Sequence, residues 1–336
     1  MRQMIGVVAA LAMAVTAQAQ QDAQPWQVFI LAGQSNMEGK GAIEHLNQLL
    51  ADPTTADTYA HLLDGDTWTQ RDDVLIRYTN GGSIDRRGPL TVGYGNPPDR
   101  FGPELGFGTV VGDALNSKVL LIKVCWGGRS LRVDFRPPSA GPVDIDTDRL
   151  AEMAERRGIE GDPSQVVGHS YRELVRLVRG TLGRLDQLFP TYDGAGYEVA
   201  GFVWFQGWKD VIDGEHHAEY GPNLAALLRD LRADLGVPDL PMVIGELGQS
   251  GLEEQIPERY RAKHMSFRTQ QESVALMPEF EDTVRYVPTS PYMVLDGPEF
   301  DGGYHYRGRA DVFYHIGRAL GEAMLDLAPP PRPGES

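Results

Sequence analysis

Short apolar runs, each broken by glycine or proline, recur along this chain, and small polar side chains gather just past several of the breaks. The first run, Val28-Phe29-Ile30-Leu31-Ala32, gives way to Gly33-Gln34-Ser35-Asn36-Met37. Its length and its β-branched and aromatic content predict a buried strand. A second run, Val119 to Val124, leads into Trp126-Gly127-Gly128-Arg129-Ser130, and a third, Val199 to Phe205, into Gln206-Gly207-Trp208-Lys209-Asp210. Two further strands are expected at Pro241 to Leu247 and Thr283 to Pro288.

Between the strands the spacing changes to that of helices. Leu174, Leu177, Val178, Leu182 and Leu185 predict an amphipathic helix from about Ser164 to Leu188. Pro103 is placed to open a helix running to about Leu115. Others are expected near Tyr220 to Leu235, around Pro257 to Leu276, and from Arg307 to Leu327. Residues 42–100 are rich in Asp, Gly and Pro and read as an irregular excursion over the strand ends. Residues 132–163, rich in Pro and Asp, read as a surface loop. Alternating strands and helices predict an α/β domain over residues 20–328, with a central, mostly parallel five-stranded sheet covered on both faces.

The two ends read differently. Met1-Arg2, an apolar stretch from Ile5 to Val15, and Ala17-Gln18-Ala19 form the pattern of a signal peptide over residues 1–19. A secreted or periplasmic protein is therefore expected. The proline-rich residues 329–336 are expected to be a disordered tail. No later run has the roughly 18 apolar residues of a membrane span.

Composition narrows the function classes. With 41% hydrophobic and 23% charged residues in 336, this is an ordinary globular chain. Its single cysteine, Cys125, rules out an intrachain disulfide and a cysteine-cluster metal site. A net charge of −16 argues against nucleic acid and anionic membranes as partners and suits a neutral substrate.

Ser35, Gly127-Gly128, Gln206 and the segment Asp301-Gly302-Gly303-Tyr304-His305 each follow an expected strand. In a parallel sheet those strand ends share one edge, where such folds hold their ligands. Together the four stretches offer a hydroxyl, backbone amides, an amide side chain, and an imidazole near a carboxylate, which are the parts of acyl transfer. Ser35 would be the nucleophile and His305 its base, since a serine hydroxyl needs a neighbouring base to attack. A carboxylate would hold the ring in the right tautomer. The amides of Ser35 and Gly128 and the side chain of Gln206 would stabilise the oxyanion. No metal or other cofactor is required.

These blocks also resemble a known family. Gly33-Gln34-Ser35-Asn36-Met37 is similar to the nucleophile block of SGNH-type hydrolases, in the branch of sialate O-acetylesterases and related carbohydrate acetylesterases. Gly127 to Leu131 resembles the branch's glycine block, Phe205-Gln206-Gly207 its third block, and Asp301 to His305 its closing Asp-x-x-His block. The resemblance spans roughly Gln27 to Leu325. It implies a three-layer α/β/α flavodoxin-like fold and a secreted serine esterase that removes O-acetyl groups from a sugar or polysaccharide.

Two departures stand out. Trp208 occupies the place of a glutamate common in the branch, and would serve as an apolar wall or a sugar-stacking platform. Asp301 lies four residues before His305 rather than three, which leaves Asp296 and Glu246 as alternatives for the triad carboxylate. Arg129 and Lys209 could orient substrate oxygens or be exposed charges. The departures keep open a non-catalytic carbohydrate-binding descendant, and the fold alone would also suit a thioesterase or a lipase-like enzyme.

Three motifs read as decoys. Gly168-His169-Ser170-Tyr171-Arg172 imitates a nucleophile elbow but falls inside an expected helix. Gly248-Gln249-Ser250-Gly251 has no histidine left to serve it, His264 included. Asp210, Asp213, Glu215, His216 and His217 lack metal-ligand spacing and read as a solvated acidic loop.

Overall fold

The computed structural model describes residues 24–328. The expected signal peptide and the expected tail lie outside these residues.

Seven strands form the main sheet: β1 (Trp26–Gly33), β2 (Arg71–Thr79), β3 (Asp85–Leu90), β4 (Val119–Cys125), β5 (Tyr197–Phe205), β6 (Met242–Gly245) and β7 (Val284–Val287). Across the sheet they run β7-β6-β5-β1-β4-β2-β3. Every pairing is parallel except the edge hairpin β2-β3. The five expected strands are all present, and among themselves they follow the order 2-1-3-4-5. Sheets wound this way open a ligand crevice at the switch point, here between β1 and β5.

The sheet has seven strands rather than five because residues 42–100 are not all irregular. In β2 only Val74-Leu75-Ile76 is an unbroken apolar run, and Arg77 interrupts the pattern. That arginine is buried, donating through Nε and Nη2 to both carboxylate oxygens of Asp85 at 2.8 Å. Its partner β3 reads Asp-Arg-Arg-Gly-Pro-Leu, with no hydrophobic alternation. Charges and a proline are what an edge strand carries to discourage further pairing.

The relevant helices are α1 (Ser35–Glu38), α2 (Glu104–Ala114), α3 (Thr147–Arg157), α4 (His169–Leu182), α5 (Gly214–Leu235), α6 (Glu258–Ala275) and α7 (Ala310–Leu327). Alternate side chains of β1 feed two cores. Val28, Ile30 and Ala32 join Leu174, Leu228 and Phe267 on one face, while Phe29 and Leu31 join Phe107, Phe313 and Leu320 on the other. Residues 132–163 are also more ordered than a surface loop. Asp146 caps α3 by accepting from the amides of Asp148 and Arg149, and Val133 and Phe135 are fully buried. Helix α4 is shorter than expected, and α5 begins earlier because Asp213 caps it.

Candidate active site

The strand ends that carry the candidate chemistry are level. Gly33 pairs with Cys125 on one side and Phe205 on the other. At Gly33 the chain turns with φ +152°, and a Cβ there would lie 2.1 Å from the Phe205 carbonyl oxygen. Only glycine permits that approach. Ser35 then opens α1, buried to 8% exposure, and its amide donates to no other backbone or side-chain group among the described residues.

Helix α1 is held from several sides. The Gln34 amide donates to the Phe205 carbonyl at 3.2 Å, and Gln34 Oε1 accepts from the amides of Gly207 and Lys209. Asn36 Nδ2 donates to Gln249 Oε1 at 2.9 Å. From beneath, the fully buried ammonium of Lys123 donates to the Glu38 carbonyl at 2.8 Å, to the Tyr94 carbonyl, and to the Glu104 carboxylate at 2.7 Å. A buried cation is tolerated when every donor finds an acceptor in this way.

The glycine block turns next to α1. Gly127 donates its amide to Glu38 Oε1 at 2.9 Å. Gly128 follows at φ +66°, exposed, with an amide that meets no protein acceptor among the described residues. Behind it, Asp134 accepts from the Ser130 amide and hydroxyl and pairs with Arg129 at 3.1 Å and Arg157 at 2.9 Å. Burial pushes the Asp134 carboxyl above its ordinary range, with Arg129 opposing the shift. The guanidinium of Arg129 is thus paired through Nη1 with Asp134.

Gln206 stands at the expected edge but has a different occupation. Its Nε2 donates to the Arg129 carbonyl at 2.9 Å and to Asp210 Oδ2 at 2.5 Å, which uses both amide hydrogens. In this arrangement no donor of the side chain is free for an oxyanion. Gln206 instead braces the glycine turn against Asp210, which also accepts from the amides of Leu131 and Arg132. Asp210 is wholly buried, and desolvation pushes its pKa up to about 7. It is therefore no part of a solvated acidic loop. Asp213 caps α5, and Glu215 pairs with Arg132.

His305 sits on a turn of unusual backbone. His305, Tyr306 and Arg307 have φ of +47°, +53° and +61°, preceded by left-handed Gly302 and Gly303. Non-glycine residues there cost roughly 1 kcal/mol or more each and persist only where surroundings hold them. The anchor is Tyr306, fully buried, whose hydroxyl bonds Thr289 Oγ1 at 2.6 Å and accepts from the Gly248 amide at 3.0 Å. This coiled turn brings the Asp301 carboxylate onto His305 Nδ1 in a short hydrogen bond despite the four-residue spacing. Glu246 is occupied elsewhere, accepting from the amides of Thr289 and Ser290 and pairing with Arg268 at 3.1 Å, while Asp296 is exposed.

Among the described residues His305 Nε2 has no hydrogen-bond partner, and no hydrogen bond joins it to the Ser35 hydroxyl. The ring lies in a short aromatic row: His305 to Tyr304 at 6.2 Å between centroids, then Tyr304 edge-on to Trp208 at 6.4 Å. Trp208 in turn follows Gly207, whose amide Gln34 holds beside Ser35.

The decoys have structural roles. Ser170 is buried at the start of α4. Ser250, against expectation, does have a histidine: its hydroxyl meets His264 Nδ1 at 3.1 Å. Burial, then Arg268 and Lys263, pull that imidazole down to about 4, and no carboxylate figures among the groups that shift it. The pair therefore lacks the third member of a triad. Glu38, Lys123 and Tyr306 are the residues that the sequence reading passed over. A lysine inside the run Val-Leu-Leu-Ile-Lys-Val was the visible signal for one of them.

The model of the carbohydrate esterase, sialic acid-specific acetylesterase family matches residues 25–278. A probable carbohydrate esterase of Arabidopsis thaliana is 25% identical over 236 residues, covering 68% of this chain and 71% of that protein. The solved structure of an Arabidopsis thaliana protein superposes with a TM-score of 0.52 at 18% identity, covering 90% of this chain and 98% of that one. NanS gives 0.53 at 13% identity, over 90% and 97%. XAC1771, a carbohydrate acetylesterase from Xanthomonas citri, gives 0.51 at 13%, over 90% of this chain and 56% of its own. These structural likenesses concern the fold, a mixed α/β architecture around a large, mostly parallel sheet. The chain belongs to the sialic acid-specific acetylesterase family of carbohydrate esterases, hydrolases that act on ester bonds.

Proposed function

We propose that this protein is an exported serine esterase of the three-layer, flavodoxin-like SGNH type that removes O-acetyl groups from a sugar or polysaccharide. The observation that carries the reading is the hydrogen bond from His305 Nδ1 to Asp301, on the sheet edge where Ser35 ends β1's turn. Asp301 fixes the tautomer that leaves Nε2 as the base. Ser35 Oγ attacks the acetyl carbonyl while Nε2 takes its proton, and the amides of Ser35 and Gly128 receive the oxyanion. The sugar hydroxyl leaves with the proton from His305. Water, activated by the same imidazole, then releases acetate from Ser35. Gln206 acts as a brace for the glycine turn, and Trp208 with Tyr304 offers aromatic surface to the sugar ring. Export rests on the signal pattern of residues 1–19.

The test is Ser35→Ala together with labelling by a fluorophosphonate. The reading expects acetate release to vanish, the fold to survive, and label to appear on wild-type Ser35 only. Retained hydrolysis in the variant would overturn it. The missing hydrogen bond between Ser35 and His305 favours one second reading, a carbohydrate-binding descendant without catalysis. That alternative expects saturable sugar binding with neither turnover nor label. Catalytic hydrogen bonds often tighten only with substrate present, which keeps the esterase first.

A further inference from the structure

Ser35 and His305 stand on separate elements, and among the described residues no hydrogen bond joins their side chains. Their separation is therefore set by whatever holds the turn of residues 300–309 against α1. Tyr306 grips that turn from inside the core. The outer grip comes from the excursion that follows the nucleophile.

Past α1, Gly41 and Ala42 pair antiparallel with Phe101 and Arg100, and the Ile43 amide donates to the Asp99 carbonyl at 3.1 Å. The helix Ile43–Ala51 follows and carries His45, buried to 3% exposure. His45 Nδ1 accepts the amide of Ala310, the first residue of α7, at 3.0 Å. Its ring stacks on Phe300, with centroids 4.7 Å apart and planes 23° from parallel. Phe300 immediately precedes Asp301 and closes the turn by donating its amide to the Arg307 carbonyl at 2.7 Å. Arg100 completes the tie: Nη2 donates to the Phe300 carbonyl at 3.0 Å and Nη1 to the Lys40 carbonyl at 3.4 Å. One small unit thus holds the nucleophile's limb on one side and both ends of the base's turn on the other.

The tie needs a neutral imidazole, because a ring nitrogen that accepts an amide hydrogen carries no proton of its own. Burial lowers the His45 pKa; Asp311, 3.8 Å from Nδ1, opposes the shift and Arg309 adds to it. Arg309 is itself paired with Asp311, Nε to Oδ1 at 3.1 Å, so that carboxylate is already matched. Without His45 the amide of Ala310, a residue at 0% exposure, would be left unpaired at the open end of a helix.

We propose that His45, with Arg100, is a positioning residue for ester cleavage, setting the distance between the Ser35 hydroxyl and His305 Nε2. The inference deepens the esterase reading of the same site and rests on it. A misplacement of about 1 Å between reacting groups can cost on the order of 10² in rate. Neither side chain is one that the reading assigns to the substrate, so binding should hold.

The test compares three full-length variants with wild type on an acetyl ester, with melting curves to score folding. His45→Leu keeps bulk against Phe300 but offers no acceptor, and Arg100→Met frees the Phe300 and Lys40 carbonyls. Each should lower kcat by about 10- to 100-fold with KM within about a factor of two. His45→Asn places Oδ1 where Nδ1 stood and should recover most of the loss. The proton between His305 Nδ1 and Asp301 gives a readout apart from turnover. Its far-downfield NMR resonance should broaden or vanish in His45→Leu and persist in His45→Asn. A residue that only stabilised the fold would lower the melting temperature and leave kcat per folded molecule intact. Wild-type kcat in folded His45→Leu, or an equal loss in His45→Asn, would overturn the inference. If His45→Leu does not fold, wild-type kcat in Arg100→Met would do so. If wild-type protein cleaves no acetyl ester and takes no fluorophosphonate, the esterase reading fails, and the resonance alone decides whether His45 holds the turn.

Discussion

Glu38 Oε1 accepts the Gly127 amide at 2.9 Å, and Glu38 Oε2 meets the Lys40 ammonium at 3.2 Å. A carboxylate at the end of the helix that Ser35 opens therefore fixes the turn before Gly128, whose amide is the proposed oxyanion donor. Misplacing such a donor weakens transition-state stabilisation with little effect on ground-state binding. Glu38→Ala should lower kcat by about 10- to 100-fold with KM nearly unchanged, since one oxyanion donor is worth roughly 10² to 10³. Glu38→Gln keeps an acceptor for Gly127 and should recover most of the loss. Steady-state kinetics on an acetyl ester, with melting curves to exclude unfolding, decide it. A KM effect with intact kcat would count against the role.

The Asp301–His305 pair makes the second prediction. Asp301→Asn retains shape but reverses hydrogen-bond polarity at Nδ1, favouring the wrong tautomer. In serine proteases that change costs about 10⁴ in turnover, and a loss of comparable order is expected here. Asp296→Asn should leave kcat within a factor of two or so of wild type, because Asp296 is exposed and bonds no part of the turn. Comparable loss in both variants would mean that the carboxylate has been misassigned.

Sequence made the five strands and the turns that end them legible because period and punctuation are local. An apolar run and a glycine announce a buried strand and its turn wherever they stand. It missed β2 and β3 because their burial depends on partners distant in the chain: Arg77 becomes a core residue only once Asp85 and Thr181 meet it. The same holds for α3. Its hydrophobic stripe is only one turn long, Leu150, Met153 and Ala154, and packs on Val133 and Val166 from neighbouring segments, so it hides within a polar stretch between the Asp146 cap and terminal Gly158. Gln206 was placed at the right edge and given the wrong task, since a motif records residue type and not which way the amide hydrogens point.

The buried Lys123–Glu104 pair predicts a stability effect. Lys123→Met would leave the Glu104 carboxylate, at 0% exposure, without its counter-ion, and would free the carbonyls of Glu38 and Tyr94. Breaking one side of a buried pair typically costs about 3–5 kcal/mol. Combining Lys123→Met with Glu104→Gln removes the stranded charge while keeping an acceptor for the Gly102 amide, which Glu104 now serves at 2.7 Å. The double variant should therefore be more stable than Lys123→Met alone. Urea unfolding of both singles and the double measures the coupling. Additive losses would show that the two charges do not depend on each other.

His264 predicts how stability responds to acid. Its imidazole is buried between Ser250 and Trp208, and burial, Arg268, Lys263 and His217 all lower its pKa, from 6.5 to about 4. Between those two values the unfolded chain takes up a proton that the folded chain refuses, so stability falls as pH drops from about 6.5 and levels off near 4. His216, lowered by burial to about 4 as well, adds a loss of the same sign over the same window. Each contribution is on the order of 2 kcal/mol. His264→Gln keeps a polar partner for Ser250 but cannot titrate. Its unfolding free energy should therefore fall less than that of wild type between about pH 7 and pH 4.5, by roughly one histidine's share. Identical losses in the two proteins would mean that His264 is protonated in the folded state at no cost, and that its burial does not govern its charge.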